Sequence, residues 1–293
     1  MIVESKFREY RTKFLLYVVL VMFAAIFVLP LIFMIMSSLK PNLQMLRDTA
    51  SLRAFIPVGD ISLSNYVGAF NTAPILLFMF NSILITVVTV LVGLVVNSLA
   101  AFSFHFLRWR GRHLILSIII ATFIVPFETI AVPLLLLVNK LPWIGPEGFT
   151  QGWLNSYHVQ IIPLLAWPFQ IFLFYQFFRE IPNDLVEAAH IDGAGWFKIY
   201  CQVVIPVSGP VIATASILRS LDMWNQYMWP MMVVQSERFR PVLIGLQYFF
   251  QLGFVDWSEI MAYLSVVTLP IIIFYLLMQR AFIESIASTG IKG

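Results

Sequence analysis

Three ionisable residues stand inside otherwise apolar stretches of this chain. Arg219 and Asp222 are three apart, a spacing that brings both onto one face of a helix. A charge facing lipid at the centre of a bilayer costs about 2.5–3.5 kcal/mol, so each needs a partner or a task. Two chemistries follow. Either the two neutralise each other against neighbouring helices, or Arg219 receives an anionic substrate such as a uronate oligosaccharide or a sugar phosphate. Glu128, beside Pro126 and Pro133, reads as a gate or a helix-packing contact. In an ion-coupled transporter, the alternative reading, Glu128 and Asp222 would carry the protons. Asn225 sits among Trp224, Tyr227 and Trp229. That group can stack on a sugar along a path through the membrane, or form an aromatic belt at its surface. Asn81 and Asn97 are placed to bond between helices.

Other chemistries lack their residues. No Gly-Lys dipeptide occurs, so there is no phosphate-binding loop of the G-x-x-x-x-G-K-[ST] kind. The four histidines and the single cysteine, Cys201, show no metal-ligand spacing. Neither a G-x-S-x-G elbow nor an H-E-x-x-H helix is present. The expectation is therefore a transport or anchoring subunit rather than an enzyme, with no metal or cofactor of its own.

The densest polar signal lies in residues 179–206. Pro182 ends an incoming helix, and Asn183 or Asp184 is placed to cap the next one. Asp184 and Glu187 have the spacing of a capping box. Leu185, Val186, Ala188, Ala189 and Ile191 then give a short helix one apolar side, and Gly193 suits the left-handed turn that closes it. A second short helix, about 195–203, precedes Pro206. Such a unit can plug into another protein's groove or rest on lipid.

The elements that must position these residues are set by composition. Of 293 residues, 60% are hydrophobic and only 11% charged, against roughly 25% charged in soluble domains. With a mean hydropathy of +0.88, the solvent must be lipid. Six apolar runs of about twenty residues or more fall near 14–37, 74–102, 114–138, 157–178, 210–234 and 260–279. They predict an all-α membrane protein of six transmembrane helices, forming one transmembrane domain over 1–293. The first run is too long for the 7–15-residue core of a signal peptide and stays as an anchor. Eleven Lys and Arg flank one side of these runs and six the other. The positive-inside rule then places both termini and the 179–206 loop in the cytoplasm, and 235–259 outside. The net charge of +3 reports this topology, not a nucleic-acid partner.

Glu187-Ala188-Ala189, then Gly193, then Val203-Val204-Ile205-Pro206 resembles the EAA motif (E-A-A-x3-G-x9-I-x-L-P) of ABC importer permeases. The motif's Ile and Leu are Val203 and Ile205 here. Trp224-Asn225-Gln226-Tyr227-Met228-Trp229-Pro230 is similar to the W-N-x-F-x-W-P run of carbohydrate importer permeases. Pro126-Phe127-Glu128 with Pro133, and the ending Ser288-Thr289-Gly290-Ile291-Lys292-Gly293, resemble the same subgroup. The likeness covers nearly the whole chain and is nearest the maltose and glycerol-phosphate type permeases of the inner membrane.

That resemblance implies a type I ABC importer permease fold with an extra first span. It implies a second, usually different permease subunit, two ATPase subunits that bind ATP with Mg, and a periplasmic or tethered binding protein that delivers a sugar. It makes 182–206 the coupling loop. There Glu187 would accept from a basic residue of the ATPase, Ala188 and Ala189 would allow close approach, Gly193 would make the turn, and His190 and Asp192 would lie in the same contact. Gly290 and Lys292 of the tail would also reach the ATPases. Arg219 departs from the family run, which is usually apolar there. In maltose-type systems the partner permease holds most sugar contacts, and the counterpart of 235–259 dips toward the binding protein.

Overall fold

In lipid an apolar segment has to satisfy its amides along its own chain, and helices do so. The computed structural model describes residues 2–145, 148–251 and 253–290. In chain order the helices are α1 (Ile2–Ser38), α2 (Asn42–Asp48), α3 (Ser64–Thr72), α4 (Ile75–Phe106), α5 (Arg112–Thr122) and α6 (Phe127–Val138). Then come α7 (Tyr157–Ile161), α8 (Pro168–Glu180), α9 (Asn183–Ile191), α10 (Trp196–Ile199), α11 (Ile205–Val207) and α12 (Gly209–Trp224). The last are α13 (Met228–Val233), α14 (Leu246–Phe250) and α15 (Trp257–Gly290). Between α6 and α7 an antiparallel hairpin, β1 (Pro142–Gly145) and β2 (Gly148–Gln151), pairs Pro142 with Gln151. The sequence predicted only a connection there.

Three stretches, Arg11–Ser38, Ile75–Phe106 and Trp257–Gln279, are each long and apolar enough to cross a bilayer. Three more crossings are bent pairs: Arg112–Thr122 with Phe127–Val138 at 104°, Tyr157–Leu164 with Pro168–Glu180 at 42°, and Trp196–Val207 with Gly209–Trp224 at 80°. Counting each pair once gives six, so the all-α fold is the expected one, with half its helices broken. Pro126 and Pro168 sit at two of these breaks, whereas Pro30, Pro133 and Pro270 ride inside continuous helices. The fifth run, expected as one helix to 234, stops at Trp224 and resumes at Met228.

The chain divides into two compact units, 1–75 with 245–269, and 76–244 with 270–293. The first is organised by a buried ion pair. Lys40 Nζ lies 2.8 Å from Asp48 Oδ2 and also donates to the Arg53 carbonyl. Asn65 Nδ2 donates to the Ser38 and Lys40 carbonyls at 2.8 Å each, closing α3 onto the end of α1. Along 11–30 every residue of α1 is exposed, which in lipid is an uncovered apolar helix.

The second unit has one core around Phe102, Phe174, Phe178, Ile199, Tyr200 and Val204, and another around Val138, Val159, Trp229 and Val233. Here Trp229 is wholly buried, with Nε1 donating to the Val159 carbonyl at 2.9 Å. Residues 235–244 are stitched to the helices. Asn81 Nδ2 donates to the carbonyls of Arg238 and Arg240, Gln160 Nε2 donates to that of Phe239, and Val242 N donates to Ser82 Oγ.

Candidate functional site

The helix α9 protrudes by construction. α8 ends at Glu180, Ile181 is buried, and Pro182 turns the chain with φ −57° and ψ 127°. The side-chain cap expected from Asn183 or Asp184 is not made, because Pro182 itself holds the N-cap position. A capping box also needs the N-cap amide, which proline lacks, and Glu187 lies too far along α9 to reach back. Asp184 still sits in the first turn, where a carboxylate suits the helix dipole.

On α9 only Val186 is buried, inserted among the Phe102–Phe178 cluster. Glu187, Ala188, His190, Asp192 and Gly193 are exposed, and Ala189 is half-buried. Gly193 has φ +79°, the left-handed turn the sequence predicts. Its N–H reaches the His190 carbonyl, and Ala194 N–H reaches Ala189 O at 2.9 Å. The return is the second helix expected, running on to Val207 and widened in its middle. α10 gives way to a wide π turn at Tyr200–Val204 and then α11. This return is the anchor: Ile199 and Val204 are fully buried, and Tyr200 Oη lies 2.7 Å from Ser98 Oγ of α4. The His190 ring meets Trp196 edge-on at 4.3 Å.

The result is a knob on a rigid mount. Leu185, Ile191 and Phe197 are exposed at 46%, 86% and 75%, interleaved with Asp184, Glu187 and Asp192. Among the described residues Glu187 has no side-chain partner. An apolar and acidic surface of this kind fits a groove with a basic rim.

Inside α12, Arg219 Nη1 and Asp222 Oδ2 are 2.6 Å apart, so the pair closes on itself. Arg219 is 3% exposed, and its Nη2 donates to the Leu164 carbonyl. Its guanidinium also lies over the Trp167 ring, 4.9 Å from the centroid. Asn225 is exposed and bonds back to the Leu221 carbonyl, while Tyr227 is 40% exposed at the same interruption. Glu128 is exposed in the first turn of α6, directly after the 104° bend. The structure thus brings Arg219 and Asp222 together and leaves Glu128 and the α9 residues elsewhere on the chain. Gly290 ends α15, and Lys292 lies outside the described residues. Sequence reasoning missed the Leu164 carbonyl as a partner of Arg219, although Pro168, four residues on, marks it as a carbonyl without its helical donor.

Long apolar helices, half of the crossings bent pairs, define a helical membrane protein. Residues 93–288 match the family described as binding-protein-dependent transport system inner membrane component. The chain belongs to that family and is a transport permease subunit of the inner membrane. It is similar to the arabinooligosaccharides transport system permease protein AraQ of Halalkalibacterium halodurans, 28% identical over 271 residues, 92% of this chain and 93% of that one. It is also similar to the sn-glycerol-3-phosphate transport system permease protein UgpE of Shigella flexneri, 30% identical over 227 residues, 77% of each chain. Among solved structures, a chain of a bacterial ABC transporter involved in the import of the acidic polysaccharide alginate shares the fold. It superposes with TM-score 0.76 at 22% identity, over 93% of this chain and 97% of that one.

Proposed function

We propose that this chain is one of two permease subunits in an ATP-driven importer of a sugar or oligosaccharide. Two partner ATPases holding ATP and Mg power it, and a periplasmic or tethered binding protein supplies it. Residues 1–293 act as one transmembrane domain, with both termini and 179–206 in the cytoplasm, as the eleven-to-six distribution of Lys and Arg favours. The carbohydrate class is supported by the likeness to AraQ, a permease of arabinooligosaccharide transport. An acidic sugar falls within the same class. Asn225 and Tyr227, exposed at the interruption of the fifth span, are the path residues this reading favours. Arg219 is committed to Asp222 and Leu164 and acts on helices rather than on substrate.

The observation that carries the coupling role is Glu187: an exposed carboxylate on a mounted helix, without a side-chain partner among the described residues. A basic residue of the ATPase would supply that partner, and Gly290 and Lys292 would add tail contacts. Hydrogen bonds to charged groups are worth about 1.5–3 kcal/mol, so Glu187→Lys should lower ATPase stimulation in the assembled complex by about tenfold or more. Membrane insertion should be unchanged. Normal uptake together with normal ATPase stimulation would refute the coupling role. An ion-coupled transporter finds less support, since Asp222 is already neutralised by Arg219.

A further inference from the structure

The fourth apolar run is interrupted where three backbone groups lose their helical partners. Its two halves, Tyr157–Leu164 and Pro168–Glu180, meet at 42°. In an unbroken helix the Leu164 carbonyl would accept from residue 168, but Pro168 has no N–H. That carbonyl accepts instead from Arg219 Nη2 of α12. The Leu165 carbonyl accepts from Asn97 Nδ2 of α4 at 2.9 Å, and Trp167 N–H donates to Asn97 Oδ1, also at 2.9 Å. Asn97 Nδ2 further reaches Gln170 Oε1 at 3.0 Å, and both side chains are fully buried.

Arg219 thus replaces the one donor that an ordinary residue at position 168 would supply, and Asn97 serves the Leu165 and Trp167 groups that the bend leaves open. Both are polar groups buried at a cost. A segment that only had to be straight and stable would need neither. We propose that the 165–167 break is a joint used in transport, with Asn97 and Arg219 as its positioning residues. α8 is the arm: 13 residues long, about 20 Å, and joined through Ile181 and Pro182 to α9. Force applied to α9 turns α8 about the break, and Asn97 and Arg219 keep the backbone groups bonded as it turns. The inference rests on α9 being the place where the ATPases act.

The test places nitroxides at Arg110, in the turn between α4 and α5, and at Arg179, at the far end of the arm, both exposed, in a Cys201→Ser background of the whole purified complex. The distance between them is compared without nucleotide and with ATP plus vanadate. A turn of about 15° on this arm moves Arg179 by about 5 Å. Pro168→Ala restores the N–H for Leu164 O, so it should raise the thermal midpoint while abolishing both the distance change and the ATPase response to binding protein. Arg219→Gln should then lower the midpoint less in the Pro168→Ala chain than in the native one. A constant distance in the native chain, a normal ATPase response in Pro168→Ala, or equal losses from Arg219→Gln in both backgrounds would each overturn the joint. Glu187→Lys separates the two ideas: if it uncouples while the native distance stays constant, the coupling reading stands and the joint falls.

Discussion

Replacing Gly193 by alanine isolates one physical quantity. Its φ of +79° is a left-handed conformation, and a Cβ built there meets no atom within 4 Å. The substitution therefore brings no clash, only the backbone cost, about 1–2 kcal/mol for an L-residue. Gly195 is the control: its φ is −72°, and an added Cβ also finds open space. A cost of 1–2 kcal/mol corresponds to a factor of about 5–30 in the closed population of the turn. The readout is hydrogen exchange at the Gly193 and Ala194 amides (position 193 as substituted), which donate to His190 and Ala189. In Gly193→Ala their exchange should speed up about 5–30-fold, in Gly195→Ala less than about twofold, and Gly193→Asn should fall between. On the proposed coupling role, ATPase stimulation should follow the same order. Equal exchange in the two alanine variants would refute the argument, because the left-handed turn would then carry no strain for alanine.

Other consequences are as direct. Lys40→Met strands the Asp48 carboxylate and should lower the thermal midpoint, whereas Lys40→Met with Asp48→Leu should recover most of the loss. The hydrogen bond from Lys40, helped by its charge, holds the Asp48 carboxyl below the usual carboxylate range. A depressed folded pKa gives stability that is present above the unfolded value, about 3.9, and lost as pH falls through the folded one. Protection factors over 42–65, with the intrinsic pH dependence of exchange divided out, should therefore stay flat from pH 7 to 5 and fall only below about pH 4. Trp229→Phe removes the donor to the buried Val159 carbonyl and should cost about 1–3 kcal/mol, read as a lower melting temperature.

The sequence displays most of the fold because lipid imposes one pattern: long uncharged runs can only be helices. It does not display where those helices break. Pro126 and Pro168 stand at bends while Pro133 and Pro270 do not. At Pro168 the freed Leu164 carbonyl is taken by Arg219, distant in the chain, whereas at Pro126 the Thr122 carbonyl accepts from the Val125 N–H close by. Arg219 and Asp222 are legible as a pair from spacing alone. The Leu164 carbonyl, 55 residues away, is not. On the α9 loop the Gly193 turn is legible from residue type, whereas the cap is misread because Pro182 takes the position a side chain would need. Nothing in the sequence singles out Lys40, yet it is the centre of a buried network, since Asp48 and the Arg53 carbonyl converge on it only after the loop has folded.

Residues 235–244 carry a last implication. Asn81, Ser82 and Gln160 bond this stretch to α4 and α7 at four points. It is less a tether than a key on a piano action: a body resting on it would register each shift of the second unit's helices at once, and pressing it would push back on them.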